Sequence, residues 1–257
     1  MPLRIREVSA ATLSPTTVAT MASIARHYYP PVLDLGVRLE AHLTEGARVL
    51  IAEADEEIVG YALSSCERRQ TPFHARPIPC VYQRQLFVIP EARGRHVGSR
   101  LQIATLRLHL GPFWLWRRFL LFCLTHNPEV VKNYRLFSEY HPRLDSDSVP
   151  PAVLTFARQL LPLVGGRMVD AGLRVHGSFK AVLKGEDYGF WWQRYLATGE
   201  PGVDAVVQAR LFRREGERLV HSGLSLLMIG YSKPGNFLRR YLSLYLRRLF
   251  RPPRSVA

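Results

Sequence analysis

Residues 85–101 read QLFVIPEARGRHVGSRL. A short apolar run ends at Pro90, a basic glycine-bearing turn follows through Arg93, Gly94, Arg95, His96, Val97, Gly98 and Ser99, and the next segment has helical spacing. Strand, turn and helix start in this order make a cradle for phosphate. The first amides of a helix lack intrahelical acceptors, the helix dipole favours negative charge there, and glycine allows close approach of the backbone. Arg93, Arg95 and Arg100 add full positive charge. A second block, FLLFCLTHNPEVVKNY, places a continuous apolar run at Phe119 to Thr125, as expected of a strand covered on both faces and running parallel to its neighbour. Asn127, Pro128 and Glu129 then supply an N-cap, a first-turn proline and an early acid for a helix that carries Tyr134.

These two blocks resemble the GNAT acyltransferase superfamily. The turn is similar to its R/QxxGxG/A motif, with Arg93 first, Gly98 last and His96 where the middle glycine is usual. A His96 that already lies in the first helical turn needs no positive φ. The spacing from Asn127 to Tyr134 is similar to the family's asparagine and tyrosine after the fifth strand. The resemblance covers residues 1–140. It implies a mixed α/β fold with a mostly antiparallel central sheet flanked by helices, and a donor of the acetyl-CoA or longer acyl-CoA type. It further implies direct transfer to an amine acceptor. In this reading the backbone at Leu86, Phe87 and Val88 orients the thioester, the turn from Arg93 to Ser99 holds the pyrophosphate, Asn127 helps bind the cofactor, and Tyr134 protonates the leaving thiolate.

The remaining chain is read around those blocks. LRIREV alternates as a first strand, Ser14 and Pro15 start a helix, and a second helix spans residues 32–43. Residues 47–69 form a hairpin around Ala54, Asp55, Glu56 and Glu57, and a longer connection over residues 68–79 leads to the strand that feeds the turn. That strand carries Gln83 and Gln85 but no carboxylate at the position where the family often has a glutamate base, and Glu67, His74, His126 and Glu139 are the titratable candidates nearby. Tyr28 and Tyr29 either line the acceptor site or pack under a helix end. The aromatic, basic stretch from Gly111 to Arg118 suits a lipid surface or ordinary packing.

Beyond residue 140 the chain reads as an extension: residues 141–235 hold the rest of the sheet with added α/β structure, and residues 236–257 a basic amphipathic helix and tail. A helix is expected at residues 152–163, a strand at 173–184 and a short aromatic helix near Trp191. Two β-rich runs, DAVVQARLF and RLVHSGLSLLMIG, are expected to flank the RREGE turn. The segment from Phe237 to Phe250 either meets an anionic membrane or docks on its own domain.

At 257 residues and 47% hydrophobic composition the chain can bury a full core. Three cysteines far apart and nine histidines without paired ligand spacing indicate reduced thiols and no metal site. Charges fall where a signal peptide would be apolar, and no run spans a bilayer, so a cytoplasmic, soluble or membrane-peripheral protein is expected. The net charge of +14 draws polyanions such as coenzyme A, an acidic carrier protein, RNA or anionic lipid. Two rivals stand beside the enzyme: a catalytically impaired GNAT-like module that senses CoA or binds membrane, and an RNA- or ribosome-binding basic protein.

Overall fold

The computed structural model describes residues 3–32, 34–43, 46–146, 148–235 and 239. The segment expected as a basic C-terminal helix lies outside the described residues, apart from Arg239. Strand β1 (Arg4–Ser9) leads to α1 (Pro15–Arg26), where the Ser14 hydroxyl accepts from the Thr17 amide and Pro15 opens the first turn. Helix α2 (Leu35–His42) is shorter than the expected 32–43, because the Asp34 carboxylate caps the amides of Gly36 and Val37 and sets the start there. The hairpin of β2 (Arg48–Ala54) and β3 (Glu57–Thr71) turns at Asp55 and Glu56, both left-handed at φ 50° and 68°.

Strand β3 does not stop near Arg68. It continues into a second, longer hairpin with β4 (His74–Val88), so the connection expected over residues 68–79 is strand on both sides of a tight turn at Pro72 and Phe73. Ladder pairing from Cys66 with Val81 out to Thr71 with His74 outweighs the proline and arginine content that reads as loop. After α3 (Val97–Leu110) comes β5 (Phe119–Thr125), which pairs parallel to β4 only through residues 80–82 and 120–122. Its other edge is antiparallel, so β5 is parallel on one side alone.

The C-terminal part contributes α4 (Pro128–Asn133), β6 (Glu139–His141), α5 (Pro151–Val164), β7 (Met168–Val169), β8 (Arg174–His176), α6 (Gly189–Trp191) with a π-helical turn at Trp192–Leu196, α7 (Pro201–Leu211), β9 (Phe212–Glu215), β10 (Arg218–His221) and β11 (Ser225–Ser232). Three expectations are corrected here. Residues 173–184 hold a strand of three residues, because Gly177 turns the chain at φ 66° into a short 3-10 helix at Phe179–Leu183. DAVVQARLF is helical through Leu211: Pro201 opens the first turn, and Val203, Val207 and Leu211 recur at helical spacing on the buried face. RLVHSGLSLLMIG is not one strand. Gly223, at φ 79°, breaks it into β10, paired with β9, and β11, which enters the main sheet.

The nine-stranded sheet runs β1-β2-β3-β4-β5-β11-β8-β7, with β6 also on β11, and every pairing except β4 with β5 is antiparallel. All eight residues of β11 are buried, as a central strand between β5 and β6/β8 requires. One face carries Val49, Ile51, Tyr61, Leu63, Val81 and Cys123 against α1, α2 and α7. The opposite face carries Leu50, Ala52 and Ala62 under α3, and Tyr82, Leu120 and Phe122 under α5. Among the described residues no helix is long and apolar enough to cross a membrane.

Candidate functional site

The one parallel pairing ends early, and the cavity starts there. Leu63 pairs with Gln85 but Ser64 with Gln83, so Arg84 is an extra residue that bulges β4. The Gln83 carboxamide staples this bulge, its Nε2 donating to Leu63 O at 3.0 Å and to Gln85 O at 2.7 Å. Past Tyr82, β4 stays with β3 and leaves β5. The wedge between them opens into a cavity of about 650 Å³ that reaches α3, α4 and the Trp192–Leu196 turn.

Leu86, Phe87 and Val88 line this cavity. The Ile89 amide donates to Val59 O, so strand alternation turns the backbone groups of Leu86 and Val88 toward the opening. Val88 O already accepts from Tyr28 OH at 2.5 Å, and Arg93 Nε donates to the same hydroxyl at 3.2 Å. Burial raises the Tyr28 phenol above its ordinary range, opposed by the Arg93 charge, so it is a neutral donor at physiological pH.

The turn meets the cavity through Arg93, Gly94, His96, Val97, Gly98 and Ser99. His96 is not in a right-handed helical turn as expected. It stands just before α3 with φ 60° and ψ 17°, a left-handed conformation that favours glycine and costs about 1 kcal/mol with a side chain. No side chain caps α3, and its first intrahelical bond runs from Arg100 N to His96 O. The amides of Val97, Gly98 and Ser99 are therefore the ones left over by helix geometry. A Cβ on Gly98 would meet only Leu86 and Val88 side-chain carbons, at 3.6 and 3.8 Å. Among the turn's arginines, Arg93 points inward, its guanidinium 4.8 Å from the Tyr28 ring centre and 5.4 Å from that of Tyr195. Arg95 is exposed and does not line the cavity.

Asn127 caps α4, its Oδ1 accepting from the Glu129 amide at 2.9 Å, and its side of the cavity also presents Tyr134. Tyr134 is buried, and its hydroxyl donates to Cys123 Sγ at 3.3 Å. Burial first, then the Cys123 thiol, hold the phenol well above its ordinary pKa, so it keeps its proton. Of the four titratable groups named from the sequence, only His126 lines the cavity. Glu67 pairs with Arg69, His74 with the Arg76 backbone, and Glu139 with His141. Gln85 accepts from the buried Tyr61 hydroxyl at 2.8 Å. Sequence reading did not single out Tyr195, which comes from the extension to close the wall beside Arg93. A tyrosine in the run WWQRYL carries no signal of its partner. Among the described residues no His, Cys, Asp and Glu cluster suits a metal.

Residues 18–137 match the family described as acetyltransferase (GNAT) family. No curated protein matches the chain. Solved structures with similarity include an aminoglycoside N-acetyltransferase AAC(6')-Iy in complex with CoA, at 21% identity and TM-score 0.39, covering 52% of this chain and 84% of that one. An aminoglycoside acetyltransferase from an uncultured soil metagenomic sample, in complex with sisomicin, is 17% identical with TM-score 0.35, covering 65% and 93%. A transcriptional regulator from Bacillus halodurans C-125 is 15% identical with TM-score 0.40, covering 58% and 98%.

Proposed function

With residues 18–137 matching the acetyltransferase (GNAT) family, we propose that the protein transfers an acetyl or longer acyl group from acyl-coenzyme A to an amine by direct attack. One observation carries this reading: the opened edge of β4, the uncapped start of α3 and the Tyr134 side chain line a single cavity. The pyrophosphate would lie on the amides of Val97, Gly98 and Ser99, where partial positive charge is in place without a side chain having to move. The pantetheine arm would run along the opened edge, with the backbone of Leu86 as its ladder partner. The reacting carbonyl would sit beside the bulge.

Each group then has a role of its own. The Gln83 staple holds the bulge open, so it is a positioning residue. Tyr28 and Arg93 fix the end of β4 where it turns toward α3. Tyr134 gives its proton to the departing thiolate, which suits a phenol held protonated beside sulfur. The +14 net charge raises the local concentration of an anionic donor, whether free acyl-CoA or an acyl group on an acidic carrier protein.

The test is calorimetric titration with acetyl-CoA of the native protein and of Ser99→Glu. A carboxylate in the first turn of α3 favours the helix dipole but repels the pyrophosphate. The expected result is a Kd raised about tenfold or more, near 1.4 kcal/mol, with an unchanged or higher melting temperature. Equal affinity in both proteins would remove α3 as the phosphate site.

A further inference from the structure

Beside the bulge the cavity wall is built of rings. Phe87 stands at its centre, with ring centres at 5.3 Å from Tyr28, 5.9 Å from Tyr29 and 5.7 Å from Tyr61. Tyr195 closes the far side, 6.1 Å from Tyr28. The charge on this surface is lopsided. Among the described lining residues Glu129 is the one carboxylate, and it lies 3.6 Å from Lys132 Nζ, while Arg84 and Arg93 supply positive charge. A tyrosine cage can attract an ammonium through its ring faces. Here the Arg93 guanidinium already lies over Tyr28 and Tyr195.

We infer that the acceptor subsite takes an aromatic primary monoamine, bound as its neutral free base; this rests on the acyltransferase reading of the same cavity. A flat ring fits offset or edge-on against Phe87 and Tyr195, the partly exposed rings of this wall, and gains contact that a polar acceptor cannot. A polyamine or amino sugar would bring several ammonium groups to a wall with one carboxylate, leaving charges desolvated and unpaired. The arginines and apolar rings also lower the pKa of a bound ammonium, so its proton departs to solvent before attack. That answers the absence of a carboxylate on β4.

The reaction then balances without a protein base. The amine nitrogen forms a bond to the thioester carbonyl carbon, the carbon–sulfur bond breaks, and sulfur takes the Tyr134 proton. The surplus proton on nitrogen is released, and solvent returns one to the Tyr134 phenolate. The products are an N-acyl amine and free coenzyme A.

Thiol release from acetyl-CoA should be followed with 2-phenylethylamine, spermine and kanamycin between about pH 6.5 and 9. The expected kcat/KM for 2-phenylethylamine exceeds the other two by about 100-fold or more. It should also rise close to tenfold per pH unit, in step with the free-base fraction of the amine. Tyr195→Ala should raise the KM for 2-phenylethylamine roughly tenfold and move the acetyl-CoA affinity by less than about threefold. Preference for spermine or kanamycin would overturn the inference. So would a plateau set by a group of the protein well below the amine's own pKa, or acetyl-CoA binding without transfer to the aromatic amine. Failure to bind acetyl-CoA would strike the acyltransferase reading itself and is read separately by calorimetry.

Discussion

Residues 18–137 and the part of the chain after them are built in different ways. In the first, elements are marked by short-range signals: the Asp34 and Asn127 caps, the apolar run of β5, the basic turn before α3. In the second, the decisive pieces are placed by partners far away in sequence. β11 lies between β5 and β6/β8, and Tyr195 reaches Tyr28 and Arg93 across the cavity. The difference teaches that the family-like segment supplies most of the cavity lining but not the whole sheet. One edge of β5, fully apolar from Phe119 to Cys123, is covered only by β11. The same division appears in the cavity, one side of which comes from β4, α3 and α4 while residues 195–198 supply part of the opposite wall.

Three experiments break or sharpen that comparison. The largest effect is expected within the first region: Tyr134→Phe should lower kcat about 100-fold, or ~2.7 kcal/mol of barrier, as measured by thiol release under saturating donor. Calorimetric acetyl-CoA affinity should hold, because the ring stays and only the hydroxyl is lost. Unchanged turnover would take Tyr134 out of the chemistry.

The junction of the regions comes next. Gly230 of β11 faces the Phe137 ring so closely that a Cβ would stand 2.6 Å from Cγ and 2.7 Å from Cδ2. Gly230→Ala should therefore destabilise by ~2 kcal/mol, about 4–8 °C in Tm, since an aromatic ring packed between strands must shift. A thermal scan showing no loss would mean that β11 and the Phe137 segment are not packed as one core.

The smallest effect belongs to α3. His109 Nε2 lies 2.9 Å from Ser64 Oγ, and burial first, then the nearby Arg48 charge, push its pKa down to about 4. A folded-state value below the ordinary 6.5 means the unfolded chain binds the extra proton more readily. Stability from this group is thus full above about pH 6.5 and is lost as pH falls toward 4. Urea midpoints measured across that interval should decline, and His109→Gln should flatten the decline. An identical slope in the variant would assign the acid sensitivity elsewhere.

Reading residues in order worked where one neighbourhood decides the outcome. Ser14 and Pro15 before α1 and Asn127 before α4 each meet their backbone partners within a few residues. It failed where two local outcomes lie close in energy. DAVVQARLF has β-branched residues suited to a strand, yet burial of Val203, Val207 and Leu211 on one side makes it a helix. Residues 68–79 hold prolines and arginines suited to a loop, yet the long β3–β4 ladder extends through them. His96 was legible as a departure from a glycine pattern, but its left-handed backbone was not, because the demand for positive φ comes from how the turn joins β4 to α3.

The sequence by itself determined the order of the motifs, their charge and the local starts and stops of most elements, because caps, turns and apolar periodicity act over a few residues. Only the tertiary structure decided that β4 parts from β5 at the Gln83 bulge, that β11 completes the sheet, and that Tyr28, Arg93 and Tyr195 meet at one mouth. Those contacts join residues about 20 to 170 positions apart, and their free energy comes from packing and desolvation that no short stretch of chain contains.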